Sequence, residues 1–358
     1  MNTCKCVFLC LVFLLSLLSA YPAAVFYTDI EMPVGTAASI KRVNADGSGL
    51  TNLINGLQHP RGMTLDAAGG KMYWTEPGLQ AIRRANLDGT GVETVVATGS
   101  DSGGGVALDL VAGKIYWSAG FPSGVIRRAN LDGTTQEDLV TNGLIHPVGI
   151  ALNIQQGKIY WTDLQGHRDG TGKIQRSNLD GSSVETLLTE IDEATGLAVD
   201  AVSGKIYWPE AVTKKIQRAN LDGTGIEDLV TGLGNPTTVG IDLTQLKIYW
   251  TDSDSNGQTN LVQRANLDGS NVETVVSGVG FPWGIAVAPA PRLKIKKAVY
   301  PDSDSLTAGL LYQLQVSADM NTWTNHGASF TATNSIWRST DHWDVDDWNK
   351  LFFRLQSQ

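Results

Sequence analysis

Oxygen ligands recur at alternate positions in Asp252-Ser253-Asp254-Ser255-Asn256-Gly257, the spacing with which a calcium loop presents carboxylates and amides before a turn-forming glycine. The twelfth position of such a loop calls for a glutamate that binds with both oxygens, and Gln263 stands there instead. Asp252, Asp254 and Asn256 therefore make half of a calcium site; calcium is the one ion the sequence suggests, and no other cofactor is expected. His59, His146, His167, His326 and His342 are the only histidines, and none stands at metal-ligand spacing from another. Cys4, Cys6 and Cys10 all lie within the first ten residues, so the rest of the chain has no thiol for a disulfide, a thiolate metal site or a cysteine nucleophile.

The elements that must carry such residues are repeats. Aromatic pairs stand at Phe26-Tyr27, Tyr73-Trp74, Tyr116-Trp117, Tyr160-Trp161, Tyr207-Trp208 and Tyr249-Trp250. Each is followed by an Asp-Gly turn, at Asp46, Asp88, Asp132, Asp180, Asp222 and Asp268. A period of this length built from short β-branched and aromatic strands belongs to a β-propeller, whose units bury their faces only by stacking in a ring. The fold expected is therefore all-β, a six-bladed β-propeller followed by a small β-sandwich-like domain. Residues 149–152, 158–162, 174–177 and 184–188 read as the four strands of one blade, bounded by Gly, Asn and Asp. The ring has a seam. The first repeat begins at its second strand, and residues 283–287 match an innermost strand that no aromatic pair follows, so these two pieces are expected to pair and close the ring.

Residues repeated in every blade are expected to build blades. Trp74, Trp117, Trp161, Trp208 and Trp250 are expected to pack between sheets, and Arg42, Arg84, Arg128, Arg176, Arg218 and Arg264 to form ion pairs or hydrogen bonds within and between blades. Function is expected where blades differ. The loops from the second to the third strand vary in length and share a face with the fourth-to-first connections, on the side where the channel opens. Candidates there are His59, Arg61, Glu76, His146, His167, Arg168, Asp192, Glu210, Phe281 and Trp283. Arg61 and Trp283 each precede the glycine of an innermost strand, with Gly104, Val148, Thr195 and Val239 as equivalents, so both could rim the channel mouth.

The motifs resemble the YWTD propeller of the low-density lipoprotein receptor class over residues 25–288, with Tyr160-Trp161-Thr162-Asp163 and Tyr249-Trp250-Thr251-Asp252 matching in full. The resemblance implies that Asp163 and Asp252 tie adjacent blades by hydrogen bonds. Thr75-Glu76, Ser118-Ala119 and Pro209-Glu210 depart from the motif, and the cysteine-rich module that usually follows such propellers in receptors is missing from this sequence.

At the N-terminus, a basic start and an apolar run from Cys6 to Leu18 read as a signal peptide over residues 1–20, with cleavage after Ala20 or near Ala23 or Ala24. The expected domains are 21–290 and 291–358. The formal charge of −9 argues against nucleic acid or an anionic membrane as partner, and the mature chain is expected to hold no membrane span. The tail is expected to form strands at 311–316, 329–332 and 351–355 and resembles a module of exported bacterial proteins; its Trp323, Trp337, Trp343 and Trp348 fit a small core or a sugar-stacking surface. The function expected is a secreted recognition module whose upper face binds a protein, peptide or glycan without chemistry. The alternative is a propeller lactonase, hydrolase or lyase with a metal in its channel.

Overall fold

A computed structural model describes residues 23–30, 38–99, 103–120, 124–164, 170–253 and 260–289, and, for residues 298–357, only the backbone of short strands. Residues 21–291 form one compact unit. Within it, six four-stranded antiparallel sheets each run outward from an innermost strand. Blade four is built from Pro147–Asn153, Lys158–Asp163, Gly172–Asn178 and Glu185–Ile191.

The seam closes as the repeat pattern requires. Phe281–Ala288 pairs antiparallel with Ala24–Ile30, setting Val25 opposite Val287 and Tyr27 opposite Ile285. Blade one thus takes its innermost strand from the far end of the propeller sequence, and the ring has no open edge.

Each interface between blades holds one apolar cluster, which is why a single blade could not stand alone. Trp161 of blade four packs with Tyr116, Ile126 and Val140 of blade three. Trp208 of blade five meets Tyr160 and Ile174 of blade four. At the seam, Tyr27 occupies the tryptophan position and packs with Tyr249 and Val262 of blade six. The five repeat tryptophans are wholly buried, so each contributes the burial of a large indole to the ring.

Polar repeats tie the outer strands. Arg128 bonds Glu137 of its own blade and the Leu179 carbonyl of the next at 3.0 Å; Arg176 and Arg218 repeat the pattern with Glu185 and Leu221, and with Glu227 and Leu267. The Asp of each Asp-Gly turn accepts from the backbone and hydroxyl of the Ser or Thr two residues on, as Asp180 does from Ser182.

In the tail, Leu311–Ser317 pairs with Thr324–Asn325, Phe330–Thr331 and Phe352–Ser357, near the three expected strands. The side chains of residues 290–358, including its four tryptophans, lie outside the described residues.

Candidate functional site

The innermost strands approach one another so closely around the axis that most have no room for a side chain where they cross. A Cβ on Gly149 would lie 2.8 Å from the Gly196 Cα, and one on Gly62 would meet the backbone of Gly104 and Gly105. Glycine is required there for space rather than for a turn.

A belt of hydroxyls holds these strands in place. The third residue of the aromatic motif donates to a carbonyl on the innermost strand of the next blade: Thr28 to Arg61 at 3.0 Å, Thr75 to Gly104 at 2.8 Å, Ser118 to Val148 at 2.5 Å and Thr251 to Trp283 at 3.0 Å. Several of the same hydroxyls accept a backbone N–H from their own blade, as Thr28 does from Gly284 at 2.7 Å and Thr162 from Gly149 at 2.9 Å. In blade five the motif carries Pro209, which has no hydroxyl, and there Thr195, three residues before the innermost strand, donates to the Thr237 carbonyl instead. Pro209 also lacks an N–H, and the innermost strand of that blade is cut to Ala198–Asp200. Sequence reasoning missed this belt, although a hydroxyl at every third motif position except 209 was a visible signal.

The belt holds the carbonyls of five rim positions, Arg61, Gly104, Val148, Thr237 and Trp283, and Thr195 stands at the equivalent place in blade five. This corrects the expected place of Val239, which pairs with Trp250 and sits two residues further down the strand. Gly240 suggested the wrong register, because blade six puts Thr238 where the other blades put the crossing glycine.

Among the rim positions, Arg61 and Trp283 are neighbours across the junction of blades two and one. The Arg61 guanidinium carbon stands 5.6 Å from the centre of the Trp283 ring, within range of a cation–π contact. Phe281 continues the aromatic surface, its ring 6.1 Å from that of Trp283 and tilted by 37°. All three side chains are half-buried, and no carboxylate among the described residues pairs with Arg61. Burial pulls the Arg61 guanidinium below the usual arginine range, although the group stays charged.

The other candidates separate. His59 is exposed near Arg61 with a positive φ of 55°, while Asp192 is half-buried on the loop into blade five. His146 is half-buried, its ring lying against Gly120. Glu76 and Glu210 need correcting, because they are buried groups of the blades and not surface groups. Glu76 accepts from Gln58 N at 2.7 Å, Trp74 Nε1 at 3.0 Å and Arg83 at 3.3 Å; Glu210 accepts from Trp208 Nε1 at 3.3 Å and from Thr213. They stand where Asp163 and Asp252 stand in their blades. Those aspartates hold the backbone N–H groups of Ile145 and His146, and of Gly234 and Asn235, on the loops that arrive from the preceding blade. His167, Arg168, Asp254 and Asn256 lie outside the described residues.

Gln263, the last position of the candidate calcium loop, lies on a strand opposite Trp250 and accepts its indole N–H at 3.2 Å. Among the described residues no three His, Cys, Asp or Glu side chains gather as metal ligands, and no helix is long and apolar enough to cross a membrane. The channel mouth is a cavity of about 70 Å³ lined by all six innermost strands, with Gly, Val, Ile, Leu and Thr beside Met63 and Trp283. That volume admits a few water molecules.

Comparison with known proteins follows this geometry. The profile of the low-density lipoprotein receptor repeat class B family matches residues 157–201, one repeat period running from blade four into blade five. Low-density lipoprotein receptor-related protein 5 of Homo sapiens is 35% identical over 73 residues, which is 20% of this chain and 4% of that protein. Low-density lipoprotein receptor-related protein 1 of Pyricularia oryzae is 35% identical over 81 residues, 26% of its length. The matched stretch thus spans a small part of these relatives. Among solved structures, a chain of the nidogen/laminin complex superposes with a TM-score of 0.64 at 24% identity, covering 75% of this chain and 99% of that one. TolB from Acinetobacter baumannii gives 0.62 at 14% identity, covering 75% and 67%; at these identities both show the fold alone. The chain is a six-bladed β-propeller, and its residues 157–201 match the low-density lipoprotein receptor class B repeat.

Proposed function

We propose that this propeller is a secreted protein-binding module and that its ligand, a protein or peptide segment, seats on the upper face over Arg61 and Trp283. The observation that carries the reading is the pair itself. Four of the six rim positions hold Gly, Val or Thr, whereas these two adjacent ones hold a half-desolvated cation that pairs with no carboxylate among the described residues and the indole it stacks on. Neither side chain is needed by the blades, and Trp and Arg are the residue types that dominate binding energy at protein interfaces. The low-density lipoprotein receptor-related relatives support a protein as the ligand. The sparse chemistry of the channel lining and its small volume favour recognition over turnover.

The test is affinity capture from the native extracellular surroundings with the wild-type propeller, Arg61→Ala and Trp283→Ala as parallel baits, followed by titration of the captured partner. Each substitution should weaken binding about 30-fold, the equivalent of about 2 kcal/mol for an interface anchor. Melting temperatures should stay close to wild type. Equal binding by all three baits would place the site elsewhere.

A further inference from the structure

Strands alternate direction within a blade, so the first-to-second and third-to-fourth turns fall on the lower face, opposite the channel mouth. Among the described residues, nine of the twelve large apolar side chains left exposed stand on those turns, and the other three, Leu79, Ile145 and Val212, stand on the upper face. Single exposed apolar residues are ordinary on a protein surface, but a set gathered on one face marks a place of contact.

The set has a centre. Leu110 and Val111, Ile154, Val202 and Leu246 stand on the first-to-second turns of blades three, four, five and six, which end the innermost strands around the axis. Val111 is 90% exposed and Val202 81%. Their turns are fixed in place, because Asp109 accepts from the backbone of Val111 and Ala112, and Asp200 from that of Val202 and Ser203. The other exposed residues of these turns in blades two to six are Ala, Gly, Gln, Ser and Thr, so the centre of the face carries no exposed charge. Leu50, Val184, Ile226 and Val272 extend the apolar surface outward, just after the Asp-Gly turns.

The border is acidic. Asp46, Asp88, Asp132, Asp180, Asp222 and Asp268 are exposed at the tips of the outer turns. The cations of this face are drawn inward instead: Lys158 bonds Asn178 and Arg176 bonds Glu185, each at 2.7 Å, and both are half-buried, a pattern that Lys71, Lys205, Arg128 and Arg218 repeat.

We propose that the lower face is a second interaction surface, and that its partner is a protein segment with apolar side chains at its centre and Lys or Arg on its flanks. The uncharged turns take the centre of the segment and the surrounding carboxylates take its cations. A second copy of this chain fits badly, because two lower faces would set one ring of carboxylates against the other. The surface lies opposite Arg61 and Trp283 and does not rest on the site proposed above.

The test is fluorescence anisotropy of the protein with two short synthetic peptides that share a Leu-Val core, one flanked by lysines and one by glutamates, with light scattering to read the oligomeric state. The lysine peptide should bind saturably and lose affinity as salt is raised, and the glutamate peptide should not bind. Val111→Ser combined with Val202→Ser should weaken the lysine peptide about tenfold, with a melting temperature close to wild type because both residues are exposed. Asp180→Asn combined with Asp222→Asn should also weaken it and flatten the salt dependence. Arg61→Ala and Trp283→Ala should bind it as wild type does, so the two surfaces can fail separately. The proposal is overturned if the lysine peptide fails to bind, if both peptides bind alike, or if the valine double variant binds as wild type does. A wild-type dimer that the same variant turns into monomers also overturns it, since the face would then pair two copies.

Discussion

Thr195→Val should destabilise the propeller although it removes no volume. Among the described residues, Thr195 supplies the hydroxyl that stitches blade five to blade six, where Pro209 stands at the motif threonine position. Valine has nearly the same shape, so no cavity term enters, and the loss is that of a partner for a buried carbonyl. Such a loss costs about 1–3 kcal/mol. For a unit of residues 21–291 that corresponds to a fall in Tm of about 2–8 °C in calorimetry. The compensating change is specific. Pro209→Thr in the Thr195→Val background puts the hydroxyl back where Thr28, Thr75 and Thr251 carry theirs, and should recover most of the loss. Pro209→Thr alone should gain little, because two hydroxyls would compete for one carbonyl. The belt is refuted if Thr195→Val melts within about 0.5 kcal/mol of wild type, the range of neutral surface changes, or if threonine at 209 restores nothing.

Two further outcomes follow from the same geometry. Gly149→Ala should cost about 1–3 kcal/mol in chemical denaturation, since its methyl would sit 2.8 Å from the Gly196 Cα and force two blades apart; a neutral result would mean the inner strands can yield. The turn carboxylates Asp46, Asp88, Asp132, Asp180, Asp222 and Asp268 are all held below the ordinary aspartate value of 3.8, chiefly by the Ser or Thr hydroxyl two residues on. A carboxylate with a depressed folded pKa adds stability above its unfolded pKa and loses it as pH falls through the folded value. Their contribution should therefore be constant from pH 7 down to about 5 and disappear below about 3.8, and Asp180→Asn should reduce the acid-side slope of a Tm profile.

The ring, its blade count and its closing strand were legible because they rest on period and register: Tyr27, Trp74 and Trp161 recur at positions that only stacked blades can bury. The rim was partly legible. Arg61 and Trp283 stood out by type, but Gly240 mimicked a crossing glycine and shifted blade six by two residues, an error only strand pairing corrects. Glu76 and Glu210 differed from the motif Asp and so looked free to serve a ligand, yet both are buried in their blades, Glu76 holding the arriving loop at Gln58 N and Glu210 accepting from the Trp208 indole. The hydroxyl belt escaped because its partners lie on different blades, some thirty to forty residues apart, a distance that local pattern does not span.

The seam and the proposed site are the same place, and Thr28 joins them. Its hydroxyl accepts the Gly284 N–H at 2.7 Å and donates to the Arg61 carbonyl at 3.0 Å. One side chain of the first strand therefore spaces the strand that carries Trp283 from the strand that carries Arg61. The stacked pair can form only after the two ends of the propeller have met, so binding should depend on closure. Thr28→Val conserves shape and removes both bonds. It should lower stability by about 1–3 kcal/mol and, at a temperature where the variant is fully folded, weaken the captured partner more than Thr195→Val does, since Thr28 bonds both strands that carry the pair whereas Thr195 bonds the blade-six strand beside them. If the two valine variants bind alike while both are folded, the Arg61–Trp283 geometry does not depend on the seam, and ligand recognition is independent of how the ring closes.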